Sequence, residues 1–273
     1  MKILLGGIML FVLTCFCSSC HTSSSTPAPD VLYIPWDIEL MMPSHNVVPV
    51  GHSLLTTNGI LVACKVSGII PDTNGVPYTY TGNWEAAMFK TPLSNTLTGA
   101  VSDVRFNGVP LTTNDSAFIH RDSSPLWIEG GSNTWHVGGS AYVPAFDTST
   151  SAPMPSFSGT LPAIISSAAE FTYTFNSTNT ANADSAYVMI RGDIDPLNSN
   201  VVSASGGIAK IPATLMAHAT NCTYCSLTYP YSNPYYKGGL IAFVLYNHKT
   251  ITVGTKQFDI VNQRVYLGNF NKP

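Results

Sequence analysis

Apolar and polar residues alternate with a period of two in short stretches along this 273-residue chain. Successive strand side chains point to opposite faces, so this period predicts half-buried β-strands. The cleanest case is residues 171–175 (FTYTF), with three aromatics on one face and two threonines on the other. Val104 and Phe106 alternate with Asp103, Arg105 and Asn107. Asn107 and Gly108 follow at once, a strong short-range signal for a tight hairpin turn. Trp135 and Val137 alternate with Thr134 and His136. Residues 186–190 (AYVMI) are apolar on both faces, which suits a central strand covered on both sides. Residues 240–246, 250–253 and 264–267 predict a strand-rich C-terminus, with Gly254 and Thr255 as a turn. Helix is expected only over residues 212–218, where Pro212 stands at a position that the first helical turn tolerates. Short strands separated by turn residues every ~8–12 positions predict an all-β protein built of β-sandwiches. No repeat of fixed period is present.

The amino terminus has a different pattern. Lys2 precedes eleven apolar residues, Ile3 to Leu13. That is the layout of a secretory signal, whose apolar region runs ~7–15 residues. A membrane-spanning helix needs ~20. Cys15, Cys17 and Cys20 follow, and Cys20 stands directly after Ser18 and Ser19. Small residues before a cysteine mark a bacterial lipoprotein signal, so Cys20 is the expected lipidation site. A plain cleaved signal peptide and a retained anchor are the competing readings. The polar, proline-containing run from His21 to Asp30 then reads as a tether. The best internal boundary is residues 147–159, which lack periodicity and hold Pro153 and Pro155. The expected division is a signal peptide over 1–19, lipidated cysteine and tether over 20–30, an N-terminal β-rich domain over 31–150 and a C-terminal β-sandwich over 158–273. A second reading treats residues 31–98 as irregular decoration on a sandwich that begins near Gly99.

Charge narrows the partners. Charged residues make up 10% of the chain, against ~25% in ordinary soluble domains. The net charge is −3, and the 12 Lys and Arg are dispersed, so the electrostatic footprint of nucleic-acid binding is missing.

Five segments in order, "VSDVRFNGVPL", "TWHVGG", "SGTLPAIISSAAEFTYTF", "NADSAYVMIRG" and "YNHKTITVGTKQFDIVNQRVYL", resemble exported lipoproteins of Bacteroidota type. The resemblance covers residues 99–270. It implies a strand-rich N-terminal region, a C-terminal immunoglobulin-like or fibronectin-III-like sandwich, and attachment to the outer membrane in an unspecified leaflet. It implies no activity. Residues 217–239 depart from the pattern, as a Cys/Tyr-rich insertion.

Catalytic motifs are missing: the chain has no Gly-x-Ser-x-Gly, no His-Glu-x-x-His and no phosphate-binding Gly-rich loop. Glutamate occurs only at Glu39, Glu85, Glu129 and Glu170, with no acid/base pair among them by spacing. No enzyme and no cofactor are expected. In "HATNCTYC", Cys222 and Cys225 read as a local disulfide in an oxidising compartment. Pairing of Cys64 with either is an alternative. A soft-metal site on His218, Cys222 and Cys225 is another, although it lacks a local fourth ligand. Cys64, within an apolar run, reads as a small buried hydrophobe. Tyr224, Tyr229, Tyr231, Tyr235 and Tyr236 sit among Pro230 and Pro234. A proline-stiffened loop of tyrosines suits contact with a glycan or a protein, and packing of the loop on its own sandwich is the plain alternative. Arg191, Gly192 and Asp193 make a three-letter adhesion match explained by turn chemistry. Asp193, Asp195, Asn198 and Asn200 form an oxygen-rich loop with a spacing poor for calcium. His45, His52, His120 and His136 read as scattered surface or structural residues. Trp36, Trp84, Trp127 and Trp135 read as core. The expected function is a non-enzymatic binding or adhesion module. A structural envelope component and a metal handler are the alternatives.

Overall fold

Strands dominate the chain from Gly59 to its end. In order they are β1 (Gly59–Pro71), β2 (Pro77–Thr91), β3 (Ser94–Leu97), β4 (Val104–Phe106), β5 (Val109–Pro110), β6 (Thr112–Asn114), β7 (Ala117–Asp122), β8 (Asn133–Val137) and β9 (Phe146–Thr150). There follow β10 (Ser156–Phe157), β11 (Phe171–Thr174), β12 (Thr180–Ala181), β13 (Ser185–Arg191), β14 (Pro196–Asn198), β15 (Val202–Ser203) and β16 (Ile208–Ile211). A one-turn helix, α1 (Ala213–Met216), precedes β17 (Gly239–Val253) and β18 (Lys256–Phe270). The computed structural model describes residues 57–71, 77–91, 94–97, 101–114, 117–122, 126–191, 196–219 and 239–273. All belong to the unit formed by residues 34–273.

A ten-stranded sheet runs in the order β14-β13-β17-β18-β1-β2-β7-β6, with β15 also on β13 and β3 on β2. β17 and β18 form one long hairpin, with Val253 opposite Lys256. Gly254 opens its two-residue turn at φ +62°, a conformation that glycine takes without a Cβ penalty. Residues 240–246 and 250–253, read above as separate runs, are thus one continuous strand. β18 pairs antiparallel with β17 and parallel with β1.

Register fixes what lies on each face. Gly59, Leu61 and Ala63 of β1 stand level with Phe258, Ile260 and Asn262 of β18, and with Phe89, Ala87 and Glu85 of β2. Ile241, Phe243 and Leu245 of β17 stand level with Ile190, Val188 and Ala186 of β13. Following the alternation across the ladders puts all of these on one face. Two separate apolar clusters cover it. At one corner, a four-stranded sheet, β5-β4-β8-β9, lays Val104, Phe106, Trp135, Val137 and Phe146 against Leu61, Phe89, Phe118, Phe258 and Ile260. At the other, the ribbons β10–β12 and β11–β16 lay Phe171, Phe175, Ala209 and Ile211 against Val188, Ile190, Phe243 and Leu245. The molecule is an all-β sandwich on this plan. On the opposite face, Val62, Trp84, Val244, Val261 and Val265 are also at most 3% exposed. Burial on both sides explains why the central strands read as apolar runs instead of alternating.

Two sequence expectations need revision. Residues 31–98 do not merely decorate a sandwich, because β1 and β2 from that segment stand inside the main sheet. The stretch 147–159 does not interrupt the sheet either. β1, from before it, and β18, from after it, are hydrogen-bonded neighbours. The stretch instead crosses the covered face. Asn247 Nδ2 donates to the Pro153 carbonyl at 3.3 Å, and Asn262 Nδ2 donates to Thr150 Oγ1 at 3.4 Å.

Burial also sets a pH limit on this core. Tyr187 and Tyr246 meet edge to face with centroids 6.4 Å apart. Burial pushes the Tyr246 phenol up to about 12, with the Asp184 charge adding to it and a Ser185 hydrogen bond opposing it. Burial raises Tyr187 as well. An unfolded tyrosine ionises near ~10. Above that pH the unfolded chain releases protons that the folded chain keeps, so stability falls as pH rises from about 10 towards 12. Below about pH 10 these two groups contribute no pH dependence. Urea unfolding at stepped pH should show this alkaline decline, and Tyr246→Phe should make it shallower while Tyr187 sustains the rest.

Candidate functional site

β4 and β5 turn on Asn107 and Gly108, both at positive φ (48° and 81°), as the Asn-Gly pair predicts. Asn107 also ties the neighbouring loop. Its Nδ2 donates to the Leu126 carbonyl at 2.7 Å and to Asn133 Oδ1 at 2.9 Å. Its Oδ1 accepts the Thr134 backbone N–H at 2.7 Å. Asn133 is fully buried. Its Oδ1 accepts the Ile128 N–H at 2.7 Å and its Nδ2 donates to the Ile128 carbonyl at 3.0 Å. Two carboxamides thus satisfy the backbone of the 126–131 loop and lock it to the hairpin.

With its apolar side turned to the core, the four-stranded sheet presents a polar row outward. Register sets Arg105 beside His136 and His136 beside Asp147. Arg105 Nε donates to Asp103 Oδ2 at 2.7 Å. His136 Nδ1 lies 2.7 Å from Asp147 Oδ1. Thr134 and Ser149 stand opposite one another on the same face. His136, Asp147, Thr134 and Ser149 border an open concavity of about 470 Å³, which Gly108 and Thr148 also line, with Trp135 beneath.

The Asp147 carboxylate, 2.7 Å from Nδ1, orients the His136 imidazole on the outer face of the sheet. The threonine and serine hydroxyls both donate and accept. Donors and acceptors so interleaved can match the hydroxyls of a polyol. Among the described residues the hydrogen-bond partner of the His136 ring is the Asp147 carboxylate. Asp147 is mostly exposed, which puts the ion pair in the weak surface class. Its value is orientation of the imidazole.

Of the residues singled out in the sequence, Cys20, Cys222, Cys225, Tyr224, Tyr229, Tyr231, Tyr235 and Tyr236 lie outside the described residues, as do Trp36, His45, His52, Gly192, Asp193 and Asp195. His218 is exposed just beyond α1, its N–H bonded to the Leu215 carbonyl at 2.9 Å. Among the described residues no three His, Cys, Asp or Glu converge on a metal-sized space. Cys64 is buried in β1, and Gln263 Nε2 donates to its sulfur at 3.9 Å. Trp84, Trp127 and Trp135 are buried, as expected. His120 is not an isolated surface residue, since its Nδ1 lies 3.2 Å from the buried Glu85 carboxylate. His136 was likewise unmarked by spacing. Its partner Asp147 is eleven residues away and becomes a neighbour only through the β8–β9 register.

Removing the Asn133 carboxamide strips partners from the Ile128 N–H and C=O and from the Asn107 amide at once. Asn133→Ala should therefore lower the urea-unfolding free energy by about 2–3 kcal/mol.

No family model matches the chain, and no curated protein matches it. Among solved structures, the yeast delta-COP-I mu-homology domain complexed with a Dsl1 WxWxV peptide superposes with 7% identity and a TM-score of 0.17. That alignment covers 79% of this chain and 98% of the other, and it is too slight to say anything of fold or ligand here.

Proposed function

We propose that this chain is an exported, lipid-anchored envelope protein whose four-stranded sheet serves as a non-enzymatic binding face for a glycan or another hydroxyl-rich polar ligand. The observation that carries the binding reading is the set His136, Asp147, Thr134 and Ser149 around one concavity, with Arg105 next to His136 on the same outward row. A rigid sheet displays these groups, and a buried carboxamide pair fixes the loop next to them, which suits recognition at low ordering cost. The His136–Asp147 pair adds an oriented imidazole edge to this row. Export and anchoring rest on the Lys2-to-Leu13 pattern and on Cys20 after two serines.

Three measurements test this. Cys20→Ala should move the protein from the membrane fraction to the soluble fraction of intact cells, and retention in the membrane would overturn the lipid anchor. Protease added to those cells decides the leaflet, since only a surface-facing chain is cleaved. For the face itself, a glycan panel probed with wild type and with the His136→Ala, Asp147→Ala double variant should show binding that falls at least about tenfold, about 1.4 kcal/mol. The melting temperature should not change, because both side chains are on the surface. Equal binding by both chains would remove this face from recognition. No binding by wild type would leave the structural envelope role as the better reading.

A further inference from the structure

We propose that the polar band between the two apolar clusters holds a binding notch for an oxyanion group, carboxylate, phosphate or sulfate, gripped by the Arg264 guanidinium with the Lys65 ammonium beside it. The site is separate from the outward row of the four-stranded sheet and does not depend on its function.

The parallel ladder sets Lys65 of β1 directly beside Arg264 of β18. Paired residues share a face at a strand spacing of about 4.8 Å, so two cations stand abreast on the covered side of the sheet. Like charges placed so are destabilising unless something offsets them. Lys65 has a partner in the Glu129 carboxylate. Arg264 has none: among the described residues nothing accepts from its guanidinium, and its Nε is buried. Its nearest aromatic contact is the Tyr266 ring, with the guanidinium carbon 5.3 Å from the centroid. A ring face attracts the charge but takes none of the N–H hydrogens. The Tyr266 hydroxyl is already engaged, accepting the Phe157 N–H at 2.9 Å.

The surroundings cover the face on one side of this pair and leave it open on the other. Along β18 from Arg264, the 150–153 stretch crosses the same face at the Asn262–Asn247 pair, which holds it. Towards the ends of β1 and β2 the same face carries half-buried Ser67 and exposed Ile69 and Thr81. A half-buried arginine fork with unfilled donors, beside a second cation, matches an oxyanion presenting two oxygens. Glu129 then stands as an internal competitor for Lys65.

The test uses the full chain, isotope-labelled so that arginine Nε–H signals are visible, titrated at constant ionic strength with inorganic phosphate, sulfate and acetate in turn. The Arg264 signal, identified by its loss in Arg264→Gln, should shift and saturate with at least one of the three. Saturation by acetate alone indicates a carboxylate ligand, and saturation by phosphate or sulfate a tetrahedral one. Arg264→Lys keeps the charge but loses the fork, and should bind at least about tenfold more weakly with its fold intact by melting temperature. Glu129→Gln should bind more tightly, because Lys65 is released to the ligand. Lys210→Gln, which removes a cation elsewhere, should change nothing. Arg264 shifts that never saturate, or saturating shifts of the neighbouring Lys65 backbone amide that persist unchanged in Arg264→Lys, would overturn the site and leave Arg264 as a side chain stacked on Tyr266.

Discussion

β18 is held by two ladders of opposite sense, and the rest of the molecule depends on that arrangement. On one side it turns back from β17 through a two-residue hairpin, so its pairing there is local. On the other it lies parallel to β1, nearly two hundred residues earlier, across ten paired positions. A parallel neighbour cannot come from a tight turn and must be brought in by a long connection. Everything between β1 and β18 is that connection. The four-stranded sheet, the ribbons and the crossing stretch are all carried by it, and all return to cover the sheet.

Both clusters use the same face of the sheet, and this has a chemical consequence. Apolar side chains gather at the two corners where a cap lies over them. The strip between the corners carries Glu85, Lys65, Asn262, Arg264 and Asn247. Buried polar groups persist only when they are paired, and most of this strip is paired: Glu85 with His120, Lys65 with Glu129, and the asparagines with the crossing chain. Arg264 Nε and Asn262 Oδ1 are the buried polar atoms of this strip left without a hydrogen bond among the described residues, and Arg264 is the one that carries charge.

The 126–131 loop joins the two layers. Asn133 and Asn107 fasten its backbone to the four-stranded sheet, and Glu129, next to the clamped Ile128, reaches Lys65 on the large sheet. One short loop is therefore bonded both to the Asn107 turn of the four-stranded sheet and, through Glu129, to the cation beside Arg264. Hydrogen bonds from rigid, buried carboxamides make that placement reproducible.

The sequence by itself determined the all-β class, the strands with a strict period of two, and the turns at Asn107–Gly108 and Gly254–Thr255. Each of these depends on residues within a few positions of one another, through side-chain alternation and the steric freedom of asparagine and glycine at positive φ. The tryptophan core positions and the buried thiol of Cys64 follow from hydrophobicity alone. The tertiary structure decided the rest. β1 and β2 were obscured because strands buried on both faces lose their alternation. The Ser/Thr/Pro-rich stretch reads as a boundary, since composition cannot tell a free linker from a chain held across a sheet by asparagines far away in sequence. The His136–Asp147 and Lys65–Arg264 neighbours come from register, and register is set by the mutual burial of whole faces. A one-residue slip would send each of those side chains to the opposite side, so no local pattern could have announced them.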